Sequence, residues 1–395
     1  MNIILFDGAE RDNLLPLTFT RPVADLRTGI LTVKEKWEKY FKTEISFLTQ
    51  DYLQSKYPVR IEQTNCFING SVLPDKLLVD EIKKLKKGEV LINDSVIIAF
   101  LSDKNNVVNF DYEKIEKFKK VDFDKQYNQI KFPWDIFRLN GEETEKDFKL
   151  LTEGRVSEKL SATVQTDNPG RIFLEEGAKV EFAVIVPDNG YVYIGKNAEI
   201  MPGSVVKGSL ALCENSVLKL SSKIYGPTTI GPYSKAGGEI NNSVIWGYSN
   251  KGHDGFLGNS VIGQWCNLGA DTNNSNLKNN YAEVKVWNYP KKGFIKTGLQ
   301  FCGLIMGDHS KSGINTMFNT GTVTGVSANI FGDGFPRNFI PSFSWGGAAG
   351  FSTYKLAKVY ETAELVMQRR GKVLDDIEKD ILRNIFEQTE NFRTK

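Results

Sequence analysis

A six-residue repeat constrains this chain more than any other feature. Ile194, Ile200, Val206, Leu212, Leu218, Ile224, Ile230 and Ala236 are all apolar, in consecutive steps of six. An α-helix repeats every 3.6 residues and a strand every 2, so neither explains the step. A parallel β-helix does: three hexads close one triangular coil, each supplying an inward aliphatic residue and a corner. Ile194-Gly195, Ile230-Gly231, Ile262-Gly263 and Leu268-Gly269 set glycine beside the inward residue. Glycine and asparagine tolerate the positive φ that corners demand, and residues 241–290 hold eleven asparagines. Aliphatic-Gly hexads point to the left-handed form of the coil, an exception to the usual right-handed crossover. An earlier register reads Leu174, Val180, Val186, Val192, and a later one Phe256, Ile262, Leu268.

Glycine usage changes along the chain: five fall in the first 150 residues and thirty in the other 245. The change of architecture is placed near Asn168-Pro169-Gly170. The expected organisation is an α/β domain over 1–150, a connector over 151–170, a β-helix over 171–350 and a helical segment over 351–395. In the first part, 2–6, 45–48 and 66–69 read as strands, and 30–40 and 80–87 as helices. That alternation implies a parallel sheet covered on both faces. Ligands on such sheets sit beyond the carboxyl ends of the strands, here Asp7-Gly8 and Asn69-Gly70. Near the end, Leu374, Ile377, Ile381 and Ile385 have helical spacing and read as a packing helix.

Charge and composition exclude several classes. Lys and Arg number 50 against 48 Asp and Glu, a net charge of +2. That balance lacks the basic excess of a nucleic-acid binder. No apolar run approaches a membrane span, and 1–6 lacks the pattern of a secretory signal. No nucleic acid, no membrane and a cytoplasmic location are therefore expected. The cysteines Cys66, Cys213, Cys266 and Cys302 are scattered, as buried reduced thiols are. The two histidines, His253 and His309, are too far apart to suggest zinc.

The segment richest in chemistry is Lys251-Gly252-His253-Asp254-Gly255-Phe256-Leu257-Gly258, followed by Asn267-Leu268-Gly269-Ala270. A histidine between two glycines, at an interruption of the hexads, leaves room for a ligand. Imidazole is the natural base for an attacking amine or hydroxyl near neutral pH. His309, in Gly307-Asp308-His309, reads as a corner residue rather than a second base.

The run from Lys251 to Asn276 resembles the acetyltransferase motif of the bifunctional UDP-N-acetylglucosamine pyrophosphorylase/glucosamine-1-phosphate acetyltransferases. The resemblance implies a nucleotidyltransferase domain followed by a left-handed β-helix acetyltransferase. It makes His253 the base that deprotonates the sugar amine. Asn267 and Asn276 fall on asparagines of that family's acetyltransferase site, and backbone amides near Ala270 would lie close to the acetyl-CoA thioester. The family's tyrosine is Phe256 here, its lysine is Asn241, and Asp271 replaces a glycine. Residues 278–296 look inserted. Lys285, Lys291, Lys292 and Lys296 there either replace the lost phosphate ligands or form a solvated basic loop.

The N-terminal runs Leu15-Pro16-Leu17-Thr18 and Thr20-Arg21-Pro22-Val23-Ala24-Asp25, then Arg27-Thr28-Gly29, resemble the alternative bacterial branch of the same family. By that resemblance Asp7, Gly8, Arg21, Arg27 and Lys34 would bind nucleotide and sugar phosphates, with Asp7 a candidate ligand for Mg²⁺. Lys34 reads equally as an ion-pair partner of its neighbours. Ser71 stands where the usual enzymes place a metal-binding aspartate. The resemblance implies a transferase that takes acetyl-CoA, UTP or another NTP and a sugar phosphate, and works as a homotrimer. Two other readings stay open: an acyltransferase whose N-terminal domain binds a nucleotide sugar without making one, and a trimeric scaffold or regulator without enzymatic activity.

Overall fold

The computed structural model describes residues 2–103, 115 and 117–393. The chain divides into two units. The first is Met1–Leu14, Arg21–Leu26 and Leu31–Phe132; the second is Leu15–Thr20, Arg27–Ile30 and Pro133–Lys395.

The first unit is a six-stranded sheet of β1 (Asn2–Phe6), β2 (Ile45–Leu48), β3 (Thr64–Asn69), β4 (Glu89–Asn93), β5 (Val96–Asp103) and β6 (Lys119–Asp122), in the order β2-β1-β3-β5-β4-β6. The sheet is mixed rather than parallel. β5 runs antiparallel to both β3 and β4, because Asp94 and Ser95 alone join β4 to β5 and so close a hairpin. Among the described residues its α-helices are α1 (Val33–Phe41), the short α2 (Asp51–Gln54) and α3 (Lys76–Lys84). α1 begins after Ile30 because Thr32 caps it: the Thr32 hydroxyl accepts from Glu35 N, and the Glu35 carboxylate accepts from Thr32 N. α3 begins earlier than its apolar spacing suggests, because Asp75 caps it.

The second unit is a parallel β-helix. Three sheets run along it, and the hexads fall on them in rotation. Ile194 pairs with Leu212 and Leu212 with Ile230 on one sheet. Ile200 pairs with Leu218 and Leu218 with Ala236 on the next. Val206 pairs with Ile224 and Ile224 with Ile240 on the third. All are buried, and they form one continuous aliphatic interior. Burying such side chains is the main favourable term in a coil with little else to pack.

Two stretches of the hexad reading shift by one residue. Ile185, not Val186, pairs with Val206 and faces inward. Leu257, not Phe256, pairs with Ile240 and faces inward. Longer and shorter corners absorb the difference. One corner stacks Tyr233, Tyr248, Trp265 and His309, all with φ of 60°. Their rings lie nearly parallel, with centroids 4.9, 4.2 and 6.2 Å apart. A left-handed backbone costs a non-glycine residue about 1–2 kcal/mol, and a stacked aromatic pair returns about 0.5–1.5 kcal/mol. The two are close enough that stacking makes aromatic corners tolerable.

Among the described residues, three helices longer than one turn complete this unit: α4 (Pro133–Thr152), α5 (Leu356–Gln368) and α6 (Asp376–Gln388). On α6, Ile381, Leu382 and Ile385 are buried while Ile377 is exposed, so Leu382 takes the place expected of Ile377. α4 carries an unusual load of buried polar side chains: Asn140, Glu143, Thr144 and Asp147. Two of them serve the backbone of Arg27–Ile30. Asn140 Oδ1 accepts from Gly29 N at 2.7 Å, and Asp147 Oδ2 accepts from Ile30 N at 2.8 Å. The Thr28 hydroxyl donates to Ile136 O at 2.8 Å.

Gly29 has φ of +75°, and a Cβ there would lie 2.6 Å from Asp147 Oδ2 and 2.7 Å from the Glu143 carbonyl carbon. Gly298 has nearly the same φ, +76°, with nothing within 4 Å of an added Cβ. Gly298→Ala is expected to cost only the left-handed strain, about 1–2 kcal/mol. Gly29→Ala adds a clash with backbone and is expected to cost clearly more, about 3 kcal/mol or above. Denaturant unfolding of the two variants side by side checks this; equal losses would contradict the packing at Gly29.

Candidate functional site

Inward residues of the coil run Ala236, Ile240, Ile245, Lys251, Leu257, so the step falls below six twice. Lys251 lies opposite Ala236 and points inside, with 1% of its surface exposed. An amine among aliphatic side chains must find acceptors. Its Nζ reaches the corner and donates to three backbone carbonyls: Gly237 at 3.1 Å, His253 at 2.7 Å and Asp254 at 3.3 Å. Burial pushes its pKa down to about 8, with Asp254 and Asp271 pulling the other way. An interior amine thus holds the loop Gly252–Gly255 from beneath, while the His253 ring stands exposed above it. Among the described residues that ring has no hydrogen-bond partner.

A second inward polar residue fixes the far end of the same loop. The amide of Asn274, 4% exposed, accepts from Gly258 N at 2.9 Å and donates to Gly258 O at 3.1 Å. Neither Lys251 nor Asn274 was singled out from sequence. The available signal was a polar residue at a hexad position, obscured because the step drifts there.

Ala270 shares the corner with His253. Its neighbour Asp271 donates its N–H to Asp254 O at 3.0 Å, one coil apart. Asn267 and Asn276 lie on two different faces. Asn267 is exposed on the strand after the aromatic corner, where its Oδ1 accepts from Asn250 Nδ2 at 2.9 Å. Asn276 lies past the next strand, donating to Asn259 Oδ1 at 2.8 Å. There a Cβ on Gly258 would meet Phe256 Cζ at 2.5 Å and Asn276 Nδ2 at 2.6 Å, so the ring, the glycine and the amide converge. Asn241 stands opposite Gly258 in the same sheet. Lys223 and Tyr225, which the sequence reading passed over, sit on the strand next to Asn241. The Tyr225 hydroxyl donates to Glu239 at 2.6 Å, and burial, then that bond, pushes its pKa to about 12. Lys285, Lys291, Lys292 and Lys296 are on an antiparallel hairpin of Lys285–Asn288 and Gly293–Lys296, where Lys285 faces Lys296. All four are exposed. His309 is a corner residue stacked on Trp265.

In the first unit, Asp7 follows β1 and is nearly closed off from solvent, its side chain 4% exposed. It accepts from Val23 N at 2.7 Å and from the Thr49 hydroxyl at 2.6 Å, and its Oδ2 is 3.3 Å from Arg11 Nε. Burial raises its pKa, while Thr49, Arg11 and Val23 oppose the rise. Magnesium is held by one or two carboxylates together with substrate phosphates. Asp7 does not fit that task here, because three protein donors already occupy it. Among the described residues no three His, Cys, Asp or Glu side chains gather as a metal site. Beside Gly8 the polar groups are mostly amides. Asn69 Oδ1 accepts from the Ser71 hydroxyl at 2.8 Å, and Gln129 Nε2 donates to that hydroxyl at 2.9 Å and to Glu10 at 2.8 Å. A Cβ on Gly8 would come within 2.6 Å of Glu10 and 2.9 Å of Asn69.

The remaining cations have protein partners. Arg21 is buried 3.3 Å from Asp25, whose other partner is the Tyr57 hydroxyl at 3.1 Å. Arg27, in the second unit, donates to Ile30 O. Lys34 on α1 is 3.3 Å from Glu38 and lies over the Phe47 ring.

The Lys251 arrangement predicts a pH signature. Its folded pKa lies below the ordinary 10.5, so between about pH 8 and 10.5 the unfolded chain binds more protons, and this group adds stability as pH rises. The stability of the wild type minus that of Lys251→Met is therefore expected to shift in favour of the wild type across that window. Denaturant midpoints at pH 7.5 and 10 check it; a flat or reversed difference would contradict the buried amine.

Comparison with known proteins shows what the chain is similar to. Residues 3–156 match the family model described as sugar nucleotidyl transferase. The bifunctional protein GlmU of Methanococcus maripaludis is 25% identical over 69% of this chain and 57% of its own length. The bifunctional sugar-1-phosphate nucleotidylyltransferase/acetyltransferase of Sulfurisphaera tokodaii is 26% identical over 64% of this chain and 53% of its own. The GlmU of Methanocaldococcus jannaschii is 28% identical over 55% and 46%. The chain thus spans about half the length of the curated relatives it matches. It is similar to the bifunctional sugar-1-phosphate nucleotidylyltransferase/acetyltransferases, with a sugar nucleotidyl transferase region at its N-terminal end.

Proposed function

We propose that this chain is a transferase of nucleotide-sugar biosynthesis. Its β-helix would move acetyl from acetyl-CoA to the amine of an amino-sugar phosphate, glucosamine 1-phosphate in the first instance. Its N-terminal unit would move a nucleotidyl group from UTP, or another NTP, to a sugar 1-phosphate. The observation that carries the first half is His253, exposed between two glycines on a loop pinned from inside by Lys251. In the reaction the sugar amine attacks the thioester carbonyl carbon, and His253 takes the proton that the nitrogen sheds. The carbonyl oxygen becomes an oxyanion, for which backbone donors near Ala270 are the candidates. Collapse of the intermediate breaks the C–S bond, and the thiolate leaves and takes up a proton. Asn276 is the amide assigned to help hold the amine and the acetyl group, and Asn267 belongs to the same acetyltransferase site. A homotrimer belongs to this reading, with the acyl donor between neighbouring subunits, as does a cytoplasmic location. No described helix is long and apolar enough to cross a membrane.

A second reading keeps the acyltransferase and lets the N-terminal unit bind a nucleotide sugar without making one. It is favoured by Asp7, which is committed to protein donors, and by Ser71, which belongs to a network of amides.

Both readings are tested by incubating the protein with acetyl-CoA, glucosamine 1-phosphate, UTP and Mg²⁺, following thiol and pyrophosphate separately. His253→Ala is expected to slow thiol release by about 10²–10⁴-fold, the usual contribution of a general base, and to leave pyrophosphate release unchanged. Thiol without pyrophosphate would select the second reading. A variant as fast as the wild type would remove His253 as the base, and silence in both channels would return the scaffold reading.

A further inference from the structure

Two carboxylates flank the turn after β1, and their surroundings differ. Asp7 has a full set of partners in Val23 N, the Thr49 hydroxyl and Arg11. Glu10 has one good hydrogen bond, from Gln129 Nε2 to its Oε1 at 2.8 Å, and a long one from Asn69 Nδ2 to its Oε2 at 3.5 Å. A carboxylate has about four acceptor sites, so capacity is left over. Glu10 is half-buried, and among the described residues no cation pairs with it. A Cβ on Gly8 would lie 2.6 Å from Glu10 Oε2, so the carboxylate is laid against the glycine backbone. A phosphate approaching that backbone would meet negative charge first.

Gln129 supplies a second acceptor. Its backbone is held by a bridge to Val72 and by Ile130 N, which donates to Ser71 O at 2.8 Å. The residue is 7% exposed. Its neighbours fix which way the carboxamide points. Glu10 can only accept, and the Ser71 hydroxyl spends its hydrogen on Asn69 Oδ1 at 2.8 Å. Both therefore need the Gln129 NH₂, which reaches them at 2.8 and 2.9 Å. The oxygen of the same planar group, Oε1, is left buried beside them without a hydrogen-bond partner. An acceptor left unmade in this way costs free energy that a donor would restore. Tyr127 shares the place: burial raises its pKa, and Glu10 and then Asp94 raise it further. What the cluster lacks is positive charge and N–H donors. It lies at the carboxyl ends of β1 and β3, which are parallel neighbours, and ligands bind at such ends.

We propose that the turn beside Gly8 binds a cationic nitrogen group, the ammonium of an amino sugar, with Glu10 as its counter-ion, and does not bind a phosphate. An ammonium brings three donors and the missing charge, and its hydrogen bonds to a carboxylate are charge-assisted. The N–H edge of a guanine base offers donors of the same kind and is the other source. That the amino sugar is the phosphorylated one of the transferase reading rests on that reading; recognition of an ammonium at Glu10 does not. If both hold, the first unit takes the sugar before its amine is acetylated, because an acetamide has no charge for Glu10 to meet.

The test is binding by the full chain, with glucosamine 1-phosphate, N-acetylglucosamine 1-phosphate, GMP and MgCl₂ titrated separately by calorimetry. The variants are Glu10→Gln, which keeps the shape and removes the charge, and Asp94→Asn at the exposed edge of the cluster. Each is first checked for an unchanged unfolding midpoint. Glu10→Gln is expected to weaken glucosamine 1-phosphate at one class of site by about tenfold or more, the worth of a charged hydrogen bond. N-acetylglucosamine 1-phosphate is expected to change less than about twofold, and Asp94→Asn to act in the same direction but more weakly. Equal weakening of the two sugar phosphates would overturn the ammonium as the recognised group. Weakening of GMP alone would keep the nitrogen-donor site and overturn the sugar as its occupant. Loss of Mg²⁺ binding with the sugars unchanged would make Glu10 a metal ligand instead, and no change for any ligand would overturn the site. Because binding is read without turnover, a chain silent in thiol and pyrophosphate release whose affinity for glucosamine 1-phosphate still depends on Glu10 would fail the transferase reading and keep this one.

Discussion

One buried amide holds together stretches of the second unit that are far apart in sequence. Asn140, fully enclosed, accepts from Gly29 N and from the Thr229 hydroxyl, and donates to Pro227 O at 3.0 Å. Every hydrogen-bonding atom of that side chain has a partner, the condition under which a buried polar group stabilises rather than penalises a fold. Around it, Thr229 also donates to Gly29 O, and Trp246 Nε1 donates to Arg27 O. A segment with no strand or helix of its own can be buried here because Arg27 O, Gly29 N, Gly29 O and Ile30 N are taken up in this way. The corner below His253 solves the same problem with a charge. There, two carbonyls of an irregular loop and one of the coil beside it are satisfied by one lysine sent through the aliphatic interior.

The coil was legible because its interior is one-dimensional. Each step of six carries the chain to the next sheet, so a purely sequential pattern maps directly onto burial. Ile194 to Ala236 follow it without error. The reading slipped by one at Val186 and at Phe256, where corner lengths change and nothing in local hydrophobicity marks which neighbour turns inward. The histidine loop was legible for a related reason: an interrupted repeat flanked by glycines is visible in the sequence. What held the loop was not, since a lysine at a drifting hexad position looks like any surface lysine.

The N-terminal candidates were less legible, for a different physical reason. Charge type suggests ligands, but sequence does not say who the partners are. Arg21 meets Asp25, Asp7 meets Thr49, Val23 and Arg11, and Lys34 meets Glu38. Likewise Gly29, in a stretch that resembles a signature of nucleotide chemistry, is required by the close approach of α4. The direction of β5 depended on a two-residue turn.

The hairpin of Lys285–Asn288 and Gly293–Lys296 leaves the coil and returns to it at one corner. Gly303 N then donates to Asn259 O at 2.8 Å, and Gly269 N to Ser312 O at 3.0 Å, across 43 positions of sequence. The stack therefore counts rungs, not residues. An excursion that begins and ends at the same vertex is invisible to every inward side chain above it, whatever its length. Diversity can accumulate there without renegotiating the interior, so this vertex is where lineages sharing the same coil are free to part company.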